Sequence, residues 1–149
     1  MPAGADVRFV DGMEGDQPLR IGLRTGARMP AYCTSGGKAM LAALDWSEVE
    51  ALHPRGLRPW PHARIRDLPS LRRQLARTRK QGYGANVEES EPGVAAIGVS
   101  ISPWPGRPVA ALSVAIPTAR FDRREEPGLY AHLREVCTAA ERALRLRGP

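Results

Sequence analysis

Two β-rich runs of eight residues, Val94 to Ile101 and Val109 to Ile116, are separated by Ser102-Pro103-Trp104-Pro105-Gly106-Arg107. No other feature constrains the fold of this chain as much. The linking hexapeptide is made of turn formers, so the two runs are expected to fold back on each other as a hairpin. Both runs mix small apolar residues with serine, which lets each strand show one face to a core and the other to a helix or a cavity. A long helix should follow. Asp122 to Pro127 reads as its entry, after which Leu129, Leu133, Val136, Cys137, Ala140, Ala143 and Leu144 recur at three- and four-residue steps.

Upstream, Val7-Arg8-Phe9-Val10-Asp11 alternates apolar and polar, Gly12 to Asp16 reads as a turn, and Leu19 to Leu23 alternates again. These segments predict a first hairpin. Gly36 to Leu44 reads as a short helix, and Asp45 as the cap of a second over Trp46 to Leu52. Three prolines and Gly56 make His53 to His62 a surface loop. Asp67-Leu68-Pro69-Ser70 then opens an amphipathic helix that Gly82 ends.

The chain has 149 residues and a net charge of +6. That length suits one domain with one substantial core, and repeats are absent. The longest apolar run, Val109 to Ile116, falls far short of the ~20 residues a membrane span needs. No export signal is visible at the start, so a cytoplasmic location is expected. Cys33 and Cys137 are isolated, which predicts neither a disulfide scaffold nor a structural metal. Nine basic residues between Arg55 and Lys80 face one acid, Asp67. Such a run is either a nucleic-acid footprint or the wet face of a helix, and a lone aromatic, Trp60, gives single strands no stacking platform.

Pro30 to Ala42, which contains Thr34-Ser35-Gly36-Gly37-Lys38, joins a polar turn to a helix start. Two readings stand side by side. Thr34 or Ser35 caps an ordinary helix, or the glycines let backbone N–H groups meet a small anion at the positive end of the helix dipole. Nucleotide hydrolysis is excluded, because a P-loop needs glycine where this chain has Tyr32 and a hydroxyl where it has Ala39. Cys33 lies just before the helix start, where its pKa would fall, with His53, His62 or His132 as possible bases, although a buried filler is the commoner role. The three histidines are expected to be exposed. Glu88, Glu89 and Glu91 are expected in a solvated loop, since crowded carboxylates repel when buried.

Three blocks carry a resemblance. Arg24-Thr25-Gly26-Ala27-Arg28-Met29-Pro30 leads into Thr34 to Ala42; Gln81-Gly82-Tyr83-Gly84-Ala85-Asn86-Val87-Glu88-Glu89 precedes Glu91 to Ile97; and Gly106 to Val114 precedes Pro117, which replaces the usual Gly-Pro. In order and spacing the chain, from Val7 to the end of its last helix, resembles the effector-binding domain of IclR-type bacterial transcriptional regulators.

The resemblance implies an α+β, GAF-like fold: a curved antiparallel sheet with helices packed on one side and a ligand cavity. It implies one sensor domain over residues 1–149, without room ahead of Val7 for the winged helix-turn-helix of such regulators. Operator DNA would then be met only through that missing domain, in a homodimer or homotetramer, with no membrane, metal or cofactor involved and no enzyme activity. By position, Ser35, Gly36 and Gly37 match the helix-start site for a carboxylate, and Ser113 matches a ligand-binding strand serine. Asn86 stands where small-acid sensors have aspartate, Ala96 replaces a cysteine, Ala115 replaces a second serine, and Met29 and Val94 would be apolar walls. These exchanges remove polar groups and add space, which implies an organic acid larger or more apolar than glyoxylate or pyruvate. Two alternatives remain: a stand-alone GAF-like enzyme using Cys33, and a basic nucleic-acid-binding module.

Overall fold

The computed structural model describes residues 6–17, 22 and 24–148. The expected hairpin of the two long runs is present: β4 (Val94–Ile101) and β5 (Ala110–Pro117) pair antiparallel from Val94 opposite Pro117 to Ile101 opposite Ala110. β3 (Gly84–Val87) joins the other edge of β4, so the sheet order is β3-β4-β5. β1 (Asp6–Arg8) and β2 (Arg28–Pro30) form a separate antiparallel pair with Val7 opposite Met29. The partner expected for the first strand, Leu19 to Leu23, lies outside the described residues. Among the described residues the antiparallel strands thus form two sheets rather than one.

The helices are α1 (Ser35–Ala42), α2 (Trp46–Leu52), α3 (Leu68–Gln81) and α4 (Glu126–Leu146), with a 3-10 turn over Ala31–Cys33 ahead of α1. Their ends follow the local signals. Glu48 Oε1 accepts from the Asp45 N–H at 3.2 Å at the start of α2, and Asp67 Oδ1 accepts from the Ser70 N–H at 2.8 Å at the start of α3. Gly82 stops α3 with φ near 94°, a conformation in which a side chain would be strained.

Helices lie on both faces of the sheet at its central strand β4, where the resemblance implied one side, while β5 is largely exposed. Ile97 and Val99 turn to α4 and pack with Leu133 and Cys137. Gly84 and Gly98 turn the other way, to the start of α1. The cause lies in β4, whose Val-Ala-Ala-Ile-Gly-Val run offers no polar face to water. A second core gathers Tyr32, Leu41, Val49, Leu71 and Leu75 from α1, α2, α3 and the 3-10 turn. Ala63 and Ile65 join it, so the segment expected to be a surface loop, with the residues just after it, is anchored by apolar side chains. His53 is likewise buried rather than exposed: it closes α2 with Nδ1 at 2.7 Å from the Val49 carbonyl. His62 and His132 are exposed. Among the described residues no helix is long and apolar enough to cross a membrane.

Candidate effector site at the start of helix α1

Thr34, not Ser35, caps α1. Its backbone is extended and its Oγ1 accepts from the Gly37 N–H at 3.0 Å. The Lys38 N–H already donates to the Thr34 carbonyl, and the Thr34 N–H to that of Ala31. Of the N–H groups that a helix start leaves without an internal partner, those of Ser35 and Gly36 have no hydrogen-bond partner among the described residues. The Gly37 N–H has one. Gly37 has a different task, because a Cβ there would collide with the Ala31 carbonyl and the Thr34 side chain, so its glycine lets the 3-10 turn fold against α1.

The helix start lies directly on the sheet because two glycines make a flat spot for it. Gly84 and Gly98 are cross-strand partners. A Cβ on Gly98 would stand 2.6 Å from the Gly36 nitrogen, and one on Gly84 would strike the Ser35 carbonyl. Neither glycine was singled out as a site residue in the sequence. The signal was available in part, since a glycine inside a strand run marks close approach of another backbone.

The strand register then places the other candidates. Cross-strand partners share a face, so Asn86, Ala96 and Ala115 form one row, and Gly84, Gly98 and Ser113 the next. Val94 lies on the same face, two residues before Ala96. Ser113 and Ala115 are exposed and Gly36 is half-buried, with Ala111 beside it at 3.1 Å from where a Gly36 Cβ would stand. Five candidates thus share the sheet face that meets the start of α1; of these and the three at the helix start, only Ser113 and Ala115 are exposed, Gly36 is half-buried, and the rest are buried. Met29 is half-buried on β2, opposite Val7, in the other sheet.

Asn86 is spent inside the protein. Its amide nitrogen donates to Ser90 Oγ at 2.9 Å and its oxygen accepts from the Glu89 N–H at 2.8 Å. The loop after β3 is further tied by Trp60 Nε1, which donates to the Ser90 carbonyl at 2.7 Å, and by Arg24, which pairs with Glu91 at 2.9 Å.

Its strongest tie is Lys38, which reaches from α1 to Glu89 at 2.8 Å and to the Ala85 carbonyl at 2.8 Å and is 1% exposed. This explains a lysine in a first turn whose dipole disfavours it. Burial pulls the Lys38 pKa down, and the facing Glu89 carboxylate opposes that pull. The loop expected to be solvated is so only in part: Glu88 is exposed and Glu91 half-buried, while Glu89 and Ser90 are buried as a clip. Repulsion is relieved because Glu89 and Glu91 each have their own cation, and the Glu88 carboxylate accepts from the Gly93 N–H at 2.9 Å.

Cys33 is fully buried, and burial, followed by the Glu89 charge, pushes its thiol up to about 12. This is the reverse of the lowering expected near a helix start. The neutral thiol donates to the Pro30 carbonyl at 3.3 Å, which is the chemistry of a core filler rather than a nucleophile. Among the described residues no cluster of His, Cys, Asp and Glu could hold a metal ion.

The family model for the bacterial transcriptional regulator IclR C-terminal region matches residues 2–142. The transcriptional repressor IclR of Escherichia coli is 32% identical over 123 residues, covering 80% of this chain and 45% of that protein. The crystal structure of the Thermotoga maritima IclR superposes with a TM-score of 0.85 at 29% identity, over 95% of this chain and 57% of that one. The inducer-binding domain of the PobR transcription factor from Acinetobacter, solved as a double mutant with 3-hydroxybenzoic acid, gives 0.72 at 28% identity, over 85% and 74%. The chain spans about half the length of the curated relatives it matches. With the matched region and the fold in agreement, the chain belongs to the IclR-type bacterial transcriptional regulators and corresponds to their C-terminal, effector-binding region.

Proposed function

We propose that this domain binds a small organic acid at the start of α1 and thereby controls operator binding by a cytoplasmic regulator. The observation that carries the reading is the pair of available N–H groups on Ser35 and Gly36, held against the sheet beside Ser113 by the glycine pair below. Two such donors at the positive end of a helix suit one carboxylate. Ser113 would donate to the same group. Ala96, Ala115 and Val94 would flank the body of the acid, and their small apolar side chains favour one larger or less polar than glyoxylate or pyruvate. That PobR was solved with an aromatic acid supports the size argument by analogy. Met29 would close the apolar side, and Asn86 would position the loop.

In the whole regulator residues 1–149 would form one sensor domain of a homodimer or homotetramer. Operator DNA would be met through a winged helix-turn-helix outside this sequence, and the effector would act by binding one assembly state better than another.

Calorimetric titration of the chain with glyoxylate, pyruvate, benzoate and 3-hydroxybenzoate tests the reading. An aromatic acid should bind about ten-fold tighter than either keto acid, equivalent to ~1.4 kcal/mol, and Ser113→Ala should weaken it. Tighter binding of the two-carbon acid would refute the size argument. Unchanged affinity in Ser113→Ala would remove the serine from the site.

A further inference from the structure

The site at α1 leaves most of the basic segment unexplained. On α3, Ser70, Arg73, Gln74, Arg77 and Gln81 recur at three- and four-residue steps and form a polar stripe flanking the buried Leu71 and Leu75. This stripe is one wall of a cleft of about 420 Å³. The other wall is the outer edge of β3, with Arg64 and the beginning of the α4 region, at Arg123 and Glu126, completing it. The Gly36 and Ser113 end of the α1 site lies towards β5, at the opposite edge of the sheet.

Two features make this cleft a receptor for negative charge. Arg64, Arg77 and Arg123 have no hydrogen-bond or ion-pair partner among the described residues, and Arg73 reaches only the neutral Ser70 Oγ at 3.0 Å. Of the two carboxylates lining the cleft, Glu89 is already neutralised by Lys38, which leaves Glu126 alone against four guanidinium groups. Like charges gathered in a concave site focus their field and raise the local concentration of anions. The backbone adds donors. The Glu88 N–H donates to Val94 O, which puts the even-numbered residues of β3 in the hydrogen-bonded rows and turns the backbone groups of Ala85 and Val87 outward. The Ala85 carbonyl is taken by Lys38, and the two N–H groups stay available at the edge lining the cleft.

We propose that this cleft binds a small polyvalent oxyanion, an organic phosphate or a polycarboxylate, separately from the acid at α1. Guanidinium forks match the planar oxygen pairs of both groups. A pocket of this volume, walled by a helix and a sheet edge, is on the scale of a metabolite rather than a duplex.

The test is calorimetry of pyrophosphate and of citrate with the 149-residue chain at constant ionic strength. The wild type is compared with Arg73→Gln/Arg77→Gln, with Arg123→Gln from a different element, and with Arg107→Gln on the distant hairpin turn. The expected result is submillimolar binding of one of the two anions, weakened about ten-fold or more in the double variant and measurably in Arg123→Gln, and unchanged in Arg107→Gln. Tighter pyrophosphate would identify a phosphate ligand, and tighter citrate a polycarboxylate. Ser113→Ala should leave this titration unaltered, so the cleft and the α1 site fail or succeed independently. The proposal is overturned if neither anion binds at millimolar concentration, or if Arg107→Gln weakens binding as much as the cleft variants. It is also overturned if a short DNA duplex binds more tightly than both anions and loses that binding in the double variant.

Discussion

The buried contact between Lys38 and Glu89 governs the chemistry around α1, because a charge held at 1% exposure is tolerable only while its partner stays in place. Lys38→Met should cost about 3–5 kcal/mol in urea unfolding, whereas Lys38→Met/Glu89→Leu should recover most of that loss. Equal losses in the single and double variants would show that the pair contributes packing alone. Cys33 supplies a pH dependence. Its ordinary value is 9.0 and the folded value is about 12, so between these the unfolded chain gives up the thiol proton first. The Cys33 contribution to stability should therefore be full below pH 9 and fall as pH rises towards 12, with a slope of up to ~1.4 kcal/mol per pH unit that Cys33→Ala subtracts from the total, to which Cys137, Tyr32 and Tyr83 also contribute. The thiol-directed reagent DTNB should leave both buried cysteines untouched in the native chain and react once it is unfolded. These roles were invisible in the sequence for one reason. Which charges meet across 51 residues is set by how α1 lies on the sheet, and local spacing does not encode that.

Helices and strands were far more legible, because their signals are local. Asp45, Asp67 and Gly82 mark helix ends where the sequence put them, and β4 and β5 lie within one residue of the expected runs. Cover was harder to read. The apolar stripe of α4 predicts a buried face, yet Val136 is 56% exposed and only Leu133 and Cys137 are buried, since α4 packs chiefly along β4, at Ile97 and Val99, and leaves its other apolar positions less covered. The seating of α1 on Gly84 and Gly98 is the element-level feature on which the proposed site depends, and it is tested by adding one methyl group. Gly98→Ala places a Cβ 2.6 Å from the Gly36 nitrogen and should destabilise the fold by about 1–3 kcal/mol while loosening α1. Gly128→Ala is the contrasting case. It lies within α4 with open space around it, and should raise stability by about 0.5–1 kcal/mol in the same urea titration.

At the scale of the whole molecule, α1, the clip loop and the sheet form one connected unit. An acid at the α1 start would pull on the same helix that Lys38 ties to Glu89, and Glu89 lines the arginine-rich cleft. The family blocks in the sequence pointed to the right fold. They did not reveal that the Asn86 side chain is committed to Ser90 and Glu89, or that β4 is covered on both faces, because blocks report position in the chain and not where side chains turn. The central claim is that a carboxylate is held by two particular backbone groups. Amide NMR of the ¹⁵N-labelled chain, titrated with 3-hydroxybenzoate, reads those groups directly. The account predicts the largest shifts at the Ser35 and Gly36 amides, with Gly37 moving less because Thr34 already occupies it. Saturable binding that leaves Ser35 and Gly36 unmoved while shifting amides elsewhere would contradict it.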